Sequence, residues 1–479
     1  MITFPQNDDW VYYGIVKNFL SGNFSLHPVT APTFYTQGIL GAVFSTLFSL
    51  QRLPVLTLVV SVLNLVVFYS ILKNHFSLNK PNAILVSLVF FFNPLHIYSA
   101  LGFMTENYML LFLLLAYKFL LDMEKKLTLR GSIFYILCTA LAFFTKQAAL
   151  FLPLGALIYY GISKNKKLFV LNLSLFTILY AFYEFVFPKT QEMYSKSLQF
   201  HHLGEPGYVL ALVFGSFVLL SAFTLPLFVP LLKNIKLKKI ILILVAVVVY
   251  ILLLKNFDPH KVSWGEFPYF TNTFERTGFY PRGLGGTKYH FRGIYDLYKY
   301  WDIGAKIGLG ILMVTLFFRK KKIFSLPGVL LIVYLGLMVV SETFFDRYLV
   351  TAVPIFILFL ISINSDVGKL STPLLGGFVA FLIFFTYQFS MDFVSVNKYV
   401  WSRSEQLVAS GVEPYQIQAT NAWKLMYGKR REDYVFDFSF DSPEKNEGYT
   451  CCYRLVETKD IHFPMSIWVE PKVYLYEKL

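Results

Sequence analysis

The stretch GFMTENYMLLFLLLAYKF, residues 102–119, decides how this chain is to be read. From Met109 to Tyr117 it is wholly apolar and aromatic. The run over 106–122 approaches the ~20 residues needed to cross a bilayer. One carboxylate, Glu106, stands at its head. A charge there is costly unless it has a partner or a task. The plainer account is a helix start, with Thr105 as the cap and Glu106 favoured by the positive helix terminus.

Runs of the same kind recur along the chain. Of its 479 residues, 56% are hydrophobic and 15% charged, against about 25% charged in a soluble domain. The pattern predicts an all-α polytopic membrane protein with about 12 transmembrane helices. The spans are expected near 51–72, 82–100, 106–122, 131–145, 147–163, 168–187, 208–232, 240–254, 301–318, 325–345, 347–363 and 372–390.

Charge placement orients these spans. The connections 73–81, 122–130, 164–167, 233–239, 319–322 and 364–371 hold seventeen Lys or Arg residues. The short connections 101–105, 146, 188–207 and 346–347 hold four. The basic set is therefore expected in the cytoplasm. The formal charge of +14 is spent on this asymmetry, which makes nucleic acid a poor partner. The three cysteines give no disulfide framework.

Three regions follow from that orientation. Residues 1–50 form a first outer segment, in which FYTQGILGAVFSTLFSL (34–50) reads as a juxtamembrane helix or a partly inserted one. Residues 51–390 form the transmembrane region, with a long outer loop at 255–300. Residues 391–479 are expected to form a small extracytoplasmic α/β domain, because Phe436, Phe438 and Phe440 alternate with polar positions as in a strand. The compact cytoplasmic loops fit a multi-pass protein of a prokaryotic plasma membrane.

The residues able to carry chemistry fall on the outer face. In NDDWVYYG (7–14), the adjacent carboxylates Asp8 and Asp9 repel, and burial beside a membrane disfavours charge. One of the two should therefore have a raised pKa and suit a general base. A solvated acidic turn is the bland alternative. Lys146, in LAFFTKQAALFLPLG, is an isolated outer cation; it is either the polar residue of a hairpin or a ligand for an anionic phosphate. Arg347 stands at the head of another span, with Asp346 as its expected structural partner and phosphate binding as the alternative. Arg276 and Arg282 lie among glycines and aromatics in the 255–300 loop, a composition suited to sugars and phosphates. Acid–base groups beside cations at a lipid interface suggest group transfer from a lipid phosphate.

The order of DDWVYYGIVKNFLSG, MTENYMLLF, AFFTKQAALFLPLG and DRYLVTAVP resembles membrane GT-C glycosyltransferases, over roughly residues 1–390. The nearest types are the protein O-mannosyltransferases and the aminoarabinose transferases of lipid A. The resemblance implies Asp8 as catalytic base, Asp9 in support, Tyr12 lining the site, Glu106 as a second acid, and Lys146 and Arg347 near the lipid phosphate. It implies a GT-C type fold of 13 spans, with one helix ahead of the acidic pair, so the sequence is expected to begin late. It also implies an inverting transfer from a polyprenyl- or dolichyl-phosphate sugar to a protein, lipid or glycan acceptor. No cofactor is required by this reading; a divalent metal held by Asp8, Asp9 and Glu106 is allowed. The alternatives are a transporter or flippase of lipid-linked sugars, which would place polar sites near the bilayer midplane, and a surface-glycan polymerase or ligase.

Overall fold

The computed structural model describes residues 4–187, 198–232, 245, 267–270, 273–279, 284–285, 294–341, 344–364, 370–428, 432–443, 452–468 and 471–479. Among them lie several long apolar helices, consistent with a multi-pass membrane protein.

The expected count of 12 or 13 spans is overturned. Six described helices are long and apolar enough to cross a membrane: Leu50–His75, Lys166–Phe185, Pro206–Phe223, Asp296–Phe318, Asp346–Ile363 and Thr372–Ala409. A seventh arises only if Lys80–Phe91 and Pro94–Leu101 together make one span. The sequence explains the difference. At 82–100 the proline ring of Pro94 forces Asn93 into an extended conformation (ψ 132°), and the two helices meet at a 61° bend. The helices Leu129–Phe143, Gln147–Ser163 and Leu326–Val339 are shorter. The last, with 14 residues, spans only ~21 Å, short of the ~30 Å hydrocarbon core. Thr105–Lys125 has the length, at 21 residues, but carries Glu106, Lys118, Asp122, Glu124 and Lys125. The run at 208–232 breaks after Phe223 into a 3-10 turn, Leu225–Phe228. All but one residue of the 240–254 run lie outside the described residues.

Local signals in the sequence set several helix ends. Asn79, Thr128 and Asn165 each accept a hydrogen bond from the backbone N–H three residues on, satisfying a donor that the first helical turn leaves open. Thr105–Lys125 packs against both Leu53–His75 and Leu129–Phe143, and Phe151–Ser163 packs against Lys166–Phe185 and Leu326–Val339. A large aromatic-rich core joins these helices.

The helix beginning at Thr372 does not stop near residue 390 but continues to Ala409. A four-stranded sheet follows, made of β3 (Ile417–Gln418), β4 (Tyr434–Asp437), β5 (Tyr453–Asp460) and β6 (Lys472–Lys478); the hairpin strands β1 (Phe274–Glu275) and β2 (Gly278–Phe279) precede it. The order is β3-β4-β6-β5, with β3 parallel to β4 and the other pairs antiparallel. Phe436 and Phe438 are buried, whereas Phe440 lies beyond the end of β4 and is exposed. The sheet is pinned to the long helix, since Arg403 and Tyr399 both donate to Glu457 of β5, at 2.8 and 3.0 Å.

Candidate functional site

The site is built where the N-terminal helix, Asp9–Leu20, meets the heads of two later helices. Asp8 occupies the N-cap position of that helix but makes no side-chain cap bond. An aspartate there ordinarily caps its own helix, worth about 1 kcal/mol. Its carboxylate is turned instead to Arg347, whose Nη2 lies 2.7 Å from Asp8 Oδ2. Arg347 also faces Glu106, Nε to Oε1 at 3.5 Å, and Lys146 Nζ approaches the same oxygen at 3.3 Å. Two carboxylates and two cations, drawn from four separated stretches of chain, thus form one alternating cluster.

Each member is oriented by packing. Lys146 Nζ sits 3.9 Å from the centroid of the Tyr348 ring, and the Arg347 guanidinium 4.8 Å from that of Phe345. Glu106 is 1% exposed, and its Oε2 has no hydrogen-bond partner among the described residues. The expected Thr105 cap is absent: Met104 is the N-cap residue and Thr105 begins the helix. Glu106 stands in the first turn of that helix, as the sequence suggested, and is held there by the two cations as well.

Asp9 and Asp8 point to different places. Asp9 is fully buried, and its Oδ2 accepts from the backbone N–H of Gln6 and of Phe103, at 3.1 and 3.0 Å. Burial pushes its carboxyl up to about 8, outweighing the two N–H donors that act in the opposite direction. Asp9 is thus tied to the turn at Phe103. Asp9 does not line the cavity described below, and the structure gives it an anchoring place rather than a base's place.

Asp346 is not the partner of the Arg347 guanidinium. Its Oδ1 accepts from the Arg347 backbone N–H at 2.8 Å, and its Oδ2 from Thr273 and Phe274 N–H, both at 2.9 Å. It clamps the β1–β2 hairpin onto the head of the Asp346–Ile363 helix. Arg276 lies in that hairpin, where its Nε donates to Phe267 O at 3.0 Å, and it lines no part of the cavity. Arg282 lies outside the described residues.

A cavity of about 380 Å³ opens on the charged cluster. Asp8, Glu106, Lys146 and Arg347 line one part of it, with Tyr12, whose ring stacks on Phe34 at 4.7 Å. Leu154, Phe176, Tyr180, Leu337 and Met338, from three helices, supply an apolar wall. The site thus offers a charged head region continuous with an apolar slot. Asn7, Trp10, Gln147, Asn421 and Leu425 also line it and were not singled out from the sequence. Asn7 carried a conformational signal only in three dimensions, a φ of +45°. Asn421 and Leu425 lie more than 400 residues from Asp8 in the chain, and nothing local marks them.

The conditional metal set of Asp8, Asp9 and Glu106 is not assembled. Asp9 is turned away, and the other two carboxylates face cations. Among the described residues no group of three or more His, Cys, Asp or Glu side chains is placed to hold a metal ion. Comparison with protein-family models, with curated proteins and with solved structures gave no match.

Proposed function

We propose that the chain is an integral-membrane glycosyltransferase that moves a sugar from a polyprenyl- or dolichyl-phosphate donor to an acceptor hydroxyl on the outer face, inverting the anomeric carbon. The observation that carries this reading is the cavity, in which a balanced acid–cation cluster adjoins an apolar slot. A lipid phosphate needs both, a cationic place for its head and a greasy one for its tail. The motif resemblance to GT-C glycosyltransferases supports the same reading, and the Lys/Arg asymmetry of the connections supports the outer placement.

In the proposed step the acceptor oxygen attacks the anomeric carbon and the bond from that carbon to the phosphate oxygen breaks. The lipid phosphate leaves with the electron pair. Asp8 takes the acceptor's proton: it lines the cavity and its side chain is 29% exposed, whereas Asp9 has no such access. Lys146 and Arg347 stabilise the negative charge that develops on the phosphate.

The test is transfer of labelled sugar from polyprenyl-phosphate donors in membranes carrying the chain or its Asp8→Asn variant. Loss of a general base costs about 10²–10⁴ in rate, so the variant should be nearly silent at equal protein level. If no donor supports transfer while lipid-linked sugar crosses vesicles containing the protein, the reading gives way to a transporter.

A further inference from the structure

Sorted by chemistry, the cavity has two unlike walls. One is the apolar slot of Leu154, Phe176, Tyr180, Leu337 and Met338. The other is formed by Asn7 and Trp10 of the N-terminal segment together with Asn421 and Leu425 of the short helix Asn421–Tyr427. Resting on the glycosyltransferase reading, we infer that this second wall receives the acceptor, and that the acceptor is a saccharide held by the Asn7 and Asn421 amides.

The short helix is fixed in place from behind. Trp423, 2% exposed, packs edge-on against Trp401 of the long helix at 4.9 Å and donates its indole N–H to Pro414 O at 3.0 Å. Thr420 caps the helix by accepting from Trp423 N–H at 3.4 Å. Positions four apart share one helix face, so with Trp423 turned inward Asn421 and Leu425 present a common face. The short helix packs against the N-terminal helix, whose first residues follow Asp8. The wall is therefore rigid and adjacent to the proposed base.

The two amides decide the ligand class. Among the described residues neither the Asn7 nor the Asn421 side chain makes a hydrogen bond within the chain, and both also line a small pocket with Gln6 and Asn397. An amide offers donors and an acceptor together, the set that vicinal hydroxyls match. An aromatic face such as Trp10 suits the C–H face of a sugar ring. An acceptor with an apolar surround would leave both amides desolvated and unpaired, which is unfavourable.

The experiment uses the full chain in membranes with a polyprenyl-phosphate sugar donor, and compares an oligosaccharide acceptor with a Ser/Thr-containing peptide. Acceptor KM, donor KM and acceptor-free donor cleavage are measured for the chain, Asn421→Ala and Leu425→Trp. Ala keeps the helix, and Leu425 is 38% exposed, so both variants are expected to fold. The expected result is transfer to the oligosaccharide, with its KM raised about tenfold or more in either variant, while donor KM and donor cleavage stay unchanged. Unchanged acceptor KM, or a rise in donor KM in its place, would overturn the assignment of the wall. Transfer to the peptide alone would overturn the saccharide class while leaving the enzyme reading intact. Failure of the unaltered chain to cleave any donor would remove both.

Discussion

Arg347 and Asp8, which are 339 positions apart in the sequence, are joined by a 2.7 Å contact between Nη2 and Oδ2. The same guanidinium turns its Nε toward Glu106. Arginine is required for this because its planar fork presents donors in two directions, whereas an ammonium is a single point charge. Removing one partner of a buried pair strands the other charge, at about 3–5 kcal/mol when both are fully buried. Asp8 is 29% exposed, so Arg347→Met should cost less, about 2–3 kcal/mol. Asp8→Asn combined with Arg347→Met should recover part of that loss. A double-mutant cycle of unfolding in detergent measures it; strictly additive losses would show that the pair is not coupled.

Asp346 makes a second, separate prediction. Its two oxygens accept three backbone N–H groups, from Thr273, Phe274 and Arg347. Asp346→Asn replaces one acceptor by a donor, leaving at least one N–H facing another N–H. An unmet buried donor costs about 1–3 kcal/mol. The β1–β2 hairpin should then loosen, and limited proteolysis should cut faster near residues 273–279 than in the unaltered chain. Equal cleavage rates would mean that packing of Phe274 and Phe279 holds the hairpin without the clamp.

How much of this was legible in the sequence differs by kind of signal. The apolar runs announced a membrane protein, but not the number of crossings, because periodicity does not reveal where Asn93-Pro94 bends the chain or where a helix such as Leu326–Val339 ends early. Glu106, Lys146 and Arg347 stood out because charges interrupt apolar runs; their mutual pairing was not readable, since it depends on how distant helix heads converge. The Asp8–Asp9 pair was visible as a pair, but not that Asp9 is the buried member, where burial, with the neighbouring Asp8 charge adding to it, raises its pKa. Asn421 and Leu425 were invisible because a polar residue followed by an apolar one in a short helix occurs anywhere.

Lys146 is predicted to act on the donor. Its ammonium lies between Glu106 and the Tyr348 ring, two contacts that fix it at the cavity wall. Lys146→Met keeps the length of the side chain and removes the charge. In the transfer assay it should raise donor KM by about tenfold, the equivalent of one charge-assisted hydrogen bond, whereas Lys146→Arg should retain most of the affinity because a guanidinium also stacks on an aromatic face. A change in acceptor KM alone would place Lys146 on the wrong side of the reaction.

Gly102 reports on how tightly the Asp9 anchor is packed. A Cβ at this position would lie 2.4 Å from Asp9 Oδ2 and 2.6 Å from Gln6 Oε1. Both are side-chain atoms, but Asp9 is held by two N–H donors and the Gln6 amide by Tyr98 O at 3.1 Å, so neither yields freely. Gly102→Ala should destabilise the protein by about 1–3 kcal/mol, the usual cost of overpacking. Thermal unfolding in detergent provides the comparison, and an unchanged midpoint would indicate that the N-terminal segment can shift away.

Asp9 itself gives a pH dependence of defined sign. Its carboxyl is raised from 3.8 to about 8, chiefly by burial. Between those two values the unfolded chain has lost the proton and the folded chain still holds it, so the folded state binds more protons. Stability therefore falls as pH rises through this window and levels off above about 8. Asp9→Asn removes the titration while keeping a neutral side chain of the same shape, so its stability should decline less steeply from pH 5 to about 8. The measurement is the unfolding midpoint across that range for both proteins. Parallel curves would mean that Asp9 is ionised in the folded chain, with a counter-charge supplied from its surroundings; a flatter curve for the variant assigns the slope to the buried acid beneath Asp8.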